Sequence, residues 1–219
     1  MAARALPPRR PELPETLEPL AIHALEHDAR LSEMEVLDSA LSDQRARGVT
    51  LEAVRLANVD LSGSRLEHLR IGDSAISGCN LANLNARGAR LKSVAVEGSR
   101  LTGIALFEGA LTDVVFDSCR IDLASFASCR LERVTFEDCM LASTDFLQAQ
   151  LRSVRFHRCD LTHADIRGAR LQRCELRRSD LTGLQGVESL RGAAMEWPDI
   201  LEMAGVLAGA LGIEVLDAD

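Results

Sequence analysis

From Leu51 onward a large apolar residue returns at every fifth position, through Leu56, Leu61, Leu66, Ile71 and Ile76 to Phe116, Phe126, Phe136 and Phe146. The phase holds without insertion for 28 units, ending at GVESL over 186–190. Leu31, Val36, Leu41 and Ala46 keep it going backward, so 31–190 holds 160 residues in 32 fives. A period of five matches neither the 3.6 of a helix nor the 2 of a strand, which points to a repeat architecture. The large residue and a small one two positions before it are predicted to point inward. The other three positions, rich in Arg, Asp, Glu, Ser and Gly, are predicted to face water. A longer period lies inside the first: Phe116, Phe136 and Phe156 are 20 residues apart, and Cys79, Cys119, Cys139 and Cys159 share one 20-residue grid, with Ser99 in the missing place. Four fives therefore make one turn, and like residues stack in ladders along the axis. Ala86 and Val96 are small for their position and predict local thinning of the core.

Units such as LANLN, LTGIA, FDSCR and LTHAD resemble the pentapeptide-repeat family, whose pattern is a small residue, a polar residue, Leu or Phe, and two more; the match covers about three-quarters of the chain. The resemblance implies an all-β solenoid, a right-handed quadrilateral parallel β-helix with a C-terminal capping helix. At 20 residues per turn, 31–190 makes about eight coils, and a strand spacing of about 4.8 Å gives a rod of roughly 38 Å. Either end of such a rod exposes unpaired backbone and an apolar cross-section. Residues 1–30, with Pro7, Pro8, Pro11, Pro14 and Pro19, read as a mobile arm. Residues 191–219 read as a cap: a helix over about 198–211, started at Pro198 and stopped at Gly212, then a short strand at 213–216. Ile200, Leu201, Ala204, Leu207 and Leu211 form the expected apolar face of that helix, and a second copy of the chain is the expected partner for it, as a homodimer.

Composition narrows the chemistry. With no Tyr, one Trp and six Phe, the interior must be filled mostly by aliphatic and small side chains. The opening MAARALPPRR has no apolar run of signal-peptide length, and no stretch approaches a membrane span, so the expected location is the cytoplasm, away from membranes. All six cysteines occupy an inward position and read as free, buried thiols. His23, His27, His68, His157 and His163 show no metal-ligand spacing with them, and no cofactor is expected. A carbohydrate-acting β-helix would need converging carboxylates. Asp160 and Asp180, one coil apart with Asp122 nearby, are the candidate pair, but aspartate is common at outward positions of this repeat, and the expectation is a protein without catalytic activity.

Charge differs by side. The first side, built on Leu51, Ile71, Leu91 and their successors, carries eight basic residues (Arg70, Arg90, Lys92, Arg130, Arg133, Arg152, Arg170, Arg173) against Glu52, Asp73, Asp113 and Glu132. The second side is balanced. The third holds Asp60, Asp122, Asp160 and Asp180 against Arg100 and Arg120. The fourth holds Glu67, Glu108, Asp145, Asp165 and Glu188 against Arg65, Arg87 and Arg167. The chain's formal charge of −8 thus comes from its ends and argues against direct nucleic-acid binding. The family resemblance implies a non-enzymatic protein-interaction module. Its best understood members resemble DNA, bind DNA gyrase or topoisomerase IV, and relieve quinolones or natural poisons. On that reading the partner-facing residues are Asp60, Asp122, Asp160 and Asp180 with Glu67, Glu108, Asp145 and Asp165. The alternatives are a structural scaffold for another protein partner and, further off, the carbohydrate-active enzyme.

Overall fold

A computed structural model describes residues 5–214. Its backbone is a parallel β-solenoid in which each residue pairs with the one 20 positions on: Leu111 faces Leu91 and Leu131, and Phe116 faces Val96 and Phe136. One stack of rungs runs from Glu18–Pro19 through Met34–Leu37 and Arg55–Ala57 to Glu175–Arg177 and Ala194–Met195. That is about nine turns where the repeat count predicts eight. The additional rungs come from outside the repeats: Glu18–Pro19 pairs with Met34 and Glu35, and Ala194–Met195 pairs with Glu175 and Leu176.

Each five-residue unit makes one side, and its local conformation explains the period. The large residue and the small one two before it are buried throughout from Ala46 to Ala169, and half-buried at Leu31, Met34, Ser39, Gln44 and Leu171 towards the ends. Two residues after the large one the backbone turns left-handed, at Ala53, Asn58, Gly63, His68, Asp73 and onward at every fifth position. That corner favours Gly, Asn and Asp, whose backbone or short side chain tolerates positive φ. The four sides are not alike. On the first two, strands of eight residues such as Arg90–Glu97, Ala110–Asp117 and Arg130–Glu137 run through the corner and form a continuous sheet. On the last two, single bridges such as Asp60↔Asn80 and Asp145↔Asp165 alternate with turns closed by bonds such as Leu84 N–H to Leu81 O at 3.2 Å.

Inside, Phe116, Phe136 and Phe156 stack with centroids 5.0 and 5.1 Å apart, and Phe126 stacks on Phe146 at 5.1 Å. The two columns meet edge to face, at 5.9 Å for Phe126 and Phe136. The small inward position has a chemical task as well as a size limit. Ser64, Cys119, Thr144 and Cys159 each donate to the carbonyl 23 residues earlier, on Leu41, Val96, Ile121 and Phe136. A thiol or hydroxyl there satisfies an inward carbonyl that the coil ladder leaves free. In the earlier coils the core thins as expected, and a cavity of about 40 Å³ is lined by residues including Leu66, Ala86, Val96, Leu106 and Phe116.

Both ends differ from expectation. Where the sequence reads 1–30 as a mobile arm, residues 5–14 lie along the rod without helix or strand, and the Ala5 N–H is received by Glu175 at the far end, 2.9 Å away. Wall carboxylates accept the Ala5, Arg9 and Glu12 N–H groups, and of residues 5–14 Ala5 alone is buried. At the other end the single helix expected over 198–211 is two short ones, α1 (Trp197–Glu202) and α2 (Ala204–Ala210), broken at Met203. Gly186, at φ 79°, ends the repeat, since a side chain there would sit 2.6 Å from the backbone of Arg167. Met203 is buried against the last coil, and Asp199 accepts the Arg178 N–H at 3.2 Å. The cap's inward row is therefore Asp199, Met203 and Leu207. Leu201, Ala204 and Leu211 point outward and Ile200 is half-buried, which breaks up the expected apolar face. Residues 213–214 form no strand, and the rest of the expected closing strand lies outside the described residues.

Candidate protein-interaction walls

Of the eight acidic residues expected to face a partner, most also hold the turns of the third and fourth sides. Asp60, Asp160 and Asp180 stand in one column and accept the N–H two residues on, from Ser62, Thr162 and Thr182, at 2.8 to 2.9 Å. Asp145 and Asp165 do the same for Leu147 and Arg167 on the fourth side. Asp122 stands in another column and accepts the Thr102 hydroxyl at 3.0 Å. These bonds explain why aspartate recurs there: its short carboxylate satisfies the turn's free N–H. They also hold the Asp60 and Asp180 carboxyls below the usual range, through the side-chain and backbone bonds to Ser62 and Thr182. For Asp180 that is the wrong direction for a general acid, which needs a raised value.

The acidic sides are also discontinuous. Asp60 and Glu67 are cut off from the later carboxylates by Asn80, Arg100, Arg120 and Met140 in one column and by Asn85, Ala105 and Ser125 in another. Glu108 is paired with Arg87 at 2.7 Å, and Asp165 with Arg167. Asp145, Asp160, Asp165 and Asp180 do come together, on adjoining sides of the last coils.

Next to that group lies a feature the sequence reading passed over. Leu123, Met140 and Leu147 are exposed apolar residues on the same two sides, at 64, 44 and 37%. Half-buried Phe107 lies two coils before Leu147 in the same column, with the Arg87 guanidinium 5.2 Å above its ring. Leu123 also takes the left-handed corner, at φ 58°, in a column otherwise made of Asp43, Gly63, Asn83, Gly103, Ser143, His163 and Gly183. The signal was available in the sequence as a leucine at an outward position of the repeat.

Elsewhere the walls are mostly polar, with Leu37 on the second side exposed at 44%. On the first side Arg70, Arg90, Arg130 and Arg170 are exposed in one column, interrupted by Ala110 and Gln150. The thiols are inside: burial pushes Cys129 up to about 12 and Cys159 to about 11, so both stay protonated at neutral pH. Among the described residues no cluster of three or more His, Cys, Asp and Glu side chains is placed to hold a metal ion, and no helix is long and apolar enough to cross a membrane.

A family model described as a pentapeptide repeat region matches residues 109–185. No curated protein matches the chain in sequence. Among solved structures, the chain is similar to trypsin-treated QnrB1, a plasmid-mediated fluoroquinolone resistance protein, with 15% identity over 92% of this chain and 99% of that one, at a TM-score of 0.44. It is similar to HetL, a pentapeptide repeat protein involved in heterocyst differentiation regulation from the cyanobacterium Nostoc, with 19% identity over 79% of this chain and 91% of that one, at a TM-score of 0.39. The family match lies inside an unbroken run of the same five-residue units, each forming one side of a coil, so residues 109–185 form a pentapeptide-repeat region.

Proposed function

We propose that the chain is a non-enzymatic, cytoplasmic protein-binding rod whose docking wall is the third and fourth sides, from Leu123 to Asp180. Leu123 carries this reading. A bulky residue in the left-handed region costs about 1–2 kcal/mol against glycine. Two-thirds of its side chain gains nothing from burial. Neither the corner nor the core accounts for a leucine there, whereas a partner that covers Leu123, Met140 and Leu147 does. The neighbouring Asp145, Asp160 and Asp180 give the patch an acidic rim, which suits a partner with a basic surface.

The family resemblance makes a type II topoisomerase the first partner to try, because its DNA-holding surface is basic. A homodimer joined through the cap is the companion proposal, supported by the exposed Trp197, Leu201, Leu211 and Ile213. A scaffold for some other protein is the second reading, and the same patch supports it.

The test uses a substitution with opposite effects on stability and binding. Leu123→Asn relieves the corner and is expected to raise stability to urea by about 1 kcal/mol. In a gyrase supercoiling assay, with and without a quinolone, the wild type is expected to inhibit or protect and the variant to do so less. A variant as active as the wild type would remove Leu123 from the wall. A wild type without effect on gyrase would transfer the proposal to another protein partner.

A further inference from the structure

The corner between the first and second sides differs from the other three. Its column runs Asp73, Ser93, Asp113, Arg133, Ser153, and the outward-facing Ser93, Asp113 and Ser153 are 6, 3 and 2% exposed. Equivalent residues at the other corners, such as Asn58, His68 and Asn83, are exposed. What covers this corner is the proline-rich arm. The Arg9 N–H donates to Asp113 at 3.0 Å and the Glu12 N–H to Asp73 at 3.4 Å, while Arg155 donates to the Ala5 carbonyl. Asp113 is fixed in turn by a two-pronged pair with Arg133, at 2.7 and 2.8 Å. Those bonds, with the arm's N–H, hold its carboxyl below the usual range.

The spacing is commensurate. Arg9 and Glu12 are three residues apart, and their acceptors, Asp113 and Asp73, are two coils apart. Two coils span about 9.6 Å at a strand spacing of about 4.8 Å. Three residues of polyproline helix span about 9.3 Å. A chain stiffened by Pro7, Pro8, Pro11 and Pro14 thus presents an N–H group each time the wall offers a carboxylate, and the prolines leave few other N–H groups to satisfy. A β-strand, at about 3.3 Å per residue, spans about 9.9 Å over the same run, so the prolines and not the rise select the polyproline form.

We propose that this seam is a docking groove for extended, proline-rich segments with N–H groups three residues apart, that the chain's own arm is its resident occupant, and that a proline-rich segment of a partner protein takes its place. The seam lies diagonally across the rod from Leu123, and the inference does not depend on the wall proposed there. Recognition rests on the match of three extended residues to two coils, so register decides it.

Two insertions in the full-length chain test this. A glycine between Pro11 and Glu12 breaks the three-residue register, and one between Pro14 and Glu15 lengthens the arm while keeping it. Trypsin cleavage after Arg9 is expected to speed up on the order of tenfold in the first variant and to stay at the wild-type rate in the second, since each bond to a charged acceptor is worth roughly that factor. A labelled peptide of sequence ALPPRRPELPE should then bind the first variant, measured by anisotropy, and bind the wild type at least about tenfold more weakly, because the tethered arm competes at roughly millimolar effective concentration. Circular dichroism confirms that the coils are intact. Equal cleavage rates in all three proteins, or equal acceleration by both insertions, would overturn the register argument. A peptide that fails to bind the opened, folded variant would show that the seam serves only its own arm.

Discussion

The two halves of the rod share one backbone pattern and fill it differently. In the earlier coils the ladders are aliphatic and uneven: Leu66, Ala86 and Leu106 succeed one another on the fourth side, Ile76 and Val96 on the second, and a cavity remains between them. In the later coils Phe116, Phe126, Phe136, Phe146 and Phe156 form two interlocked stacks, with Cys119, Cys129, Cys139 and Cys159 beside them. The exposed apolar patch and the gathered carboxylates sit on this better packed half. A solenoid's stability is approximately the sum of its repeats and their interfaces. The contrast therefore suggests that the later coils form the rigid platform for the wall and the earlier ones the more easily opened end.

The hardest blow to that platform is Phe136→Asp. The ring is fully buried between Phe116 and Phe156, with Phe126 and Phe146 edge-on. An unpaired carboxylate there costs more than about 5 kcal/mol, comparable to the whole stability of a domain. Circular dichroism at 25 °C should show loss of the β-solenoid signal, and an unchanged melt would mean that the inward register is wrong.

Alkaline pH discriminates between the halves without mutation. Burial raises Cys129 to about 12 and Cys159 to about 11, against about 8.5 for a free thiol. Above pH 8.5 the unfolded chain gives up these protons while the folded one keeps them, so stability is full below that pH and falls as pH rises. Two such thiols make the loss about 4 kcal/mol by pH 10. The chain has no Tyr and Lys92 is its one lysine, so little besides the thiols titrates in that window. Five of the six cysteines lie in the later half. Hydrogen exchange at pH 8 and pH 10 should show protection lost first around 119–174, and a loss confined to the earlier coils would contradict the assignment.

The sequence made the coil legible because periodicity reports burial, and burial is decided locally, five residues at a time. Phe136, the thiol ladder and the gap at Ala86 all follow from that rule. What it missed depends on long-range placement. Nothing local in Pro7 to Pro14 shows that Asp113, about a hundred residues away, receives the arm. An amphipathic reading of 198–211 selected Leu201 and Ala204, yet the last coil selected Met203, which required the helix to break there. The wall candidates have a second task that the sequence did not show. Asp60, Asp160 and Asp165 look like surface charge in the sequence, but their position before the large residue makes them turn-forming acceptors.

The earlier half should tighten when its gap is filled. Ala86 is fully buried between Leu66 and Leu106 in its column and lines the cavity of about 40 Å³. Ala86→Val adds two methyl groups into that space and should raise the urea midpoint, by about 1 kcal/mol of stability, with an unchanged m-value. A destabilised variant would mean that the ladder is already full and that the halves do not differ in packing.

The smallest effect is expected from Cys119→Ser, in the middle of the later half. The column runs Cys79, Ser99, Cys119, Cys139, Cys159, Ser179, so the coil already accepts a hydroxyl at this place. Ser99 receives the Cys79 N–H at 3.1 Å and Ser179 the Cys159 N–H at 3.1 Å, while their hydroxyls donate to Glu97 and Arg177 carbonyls two residues back. A serine at 119 keeps the equivalent donor bond, which the thiol makes to the Asp117 carbonyl at 3.2 Å. It loses the polarisable sulfur, the long thiol contact to the Val96 carbonyl at 3.5 Å and a little volume beside Phe116, which should limit the change to about 1 kcal/mol. A loss several times larger in a urea titration would show that the sulfur column is packed as tightly as the rings, and that the later half owes its order to thiols and phenylalanines together.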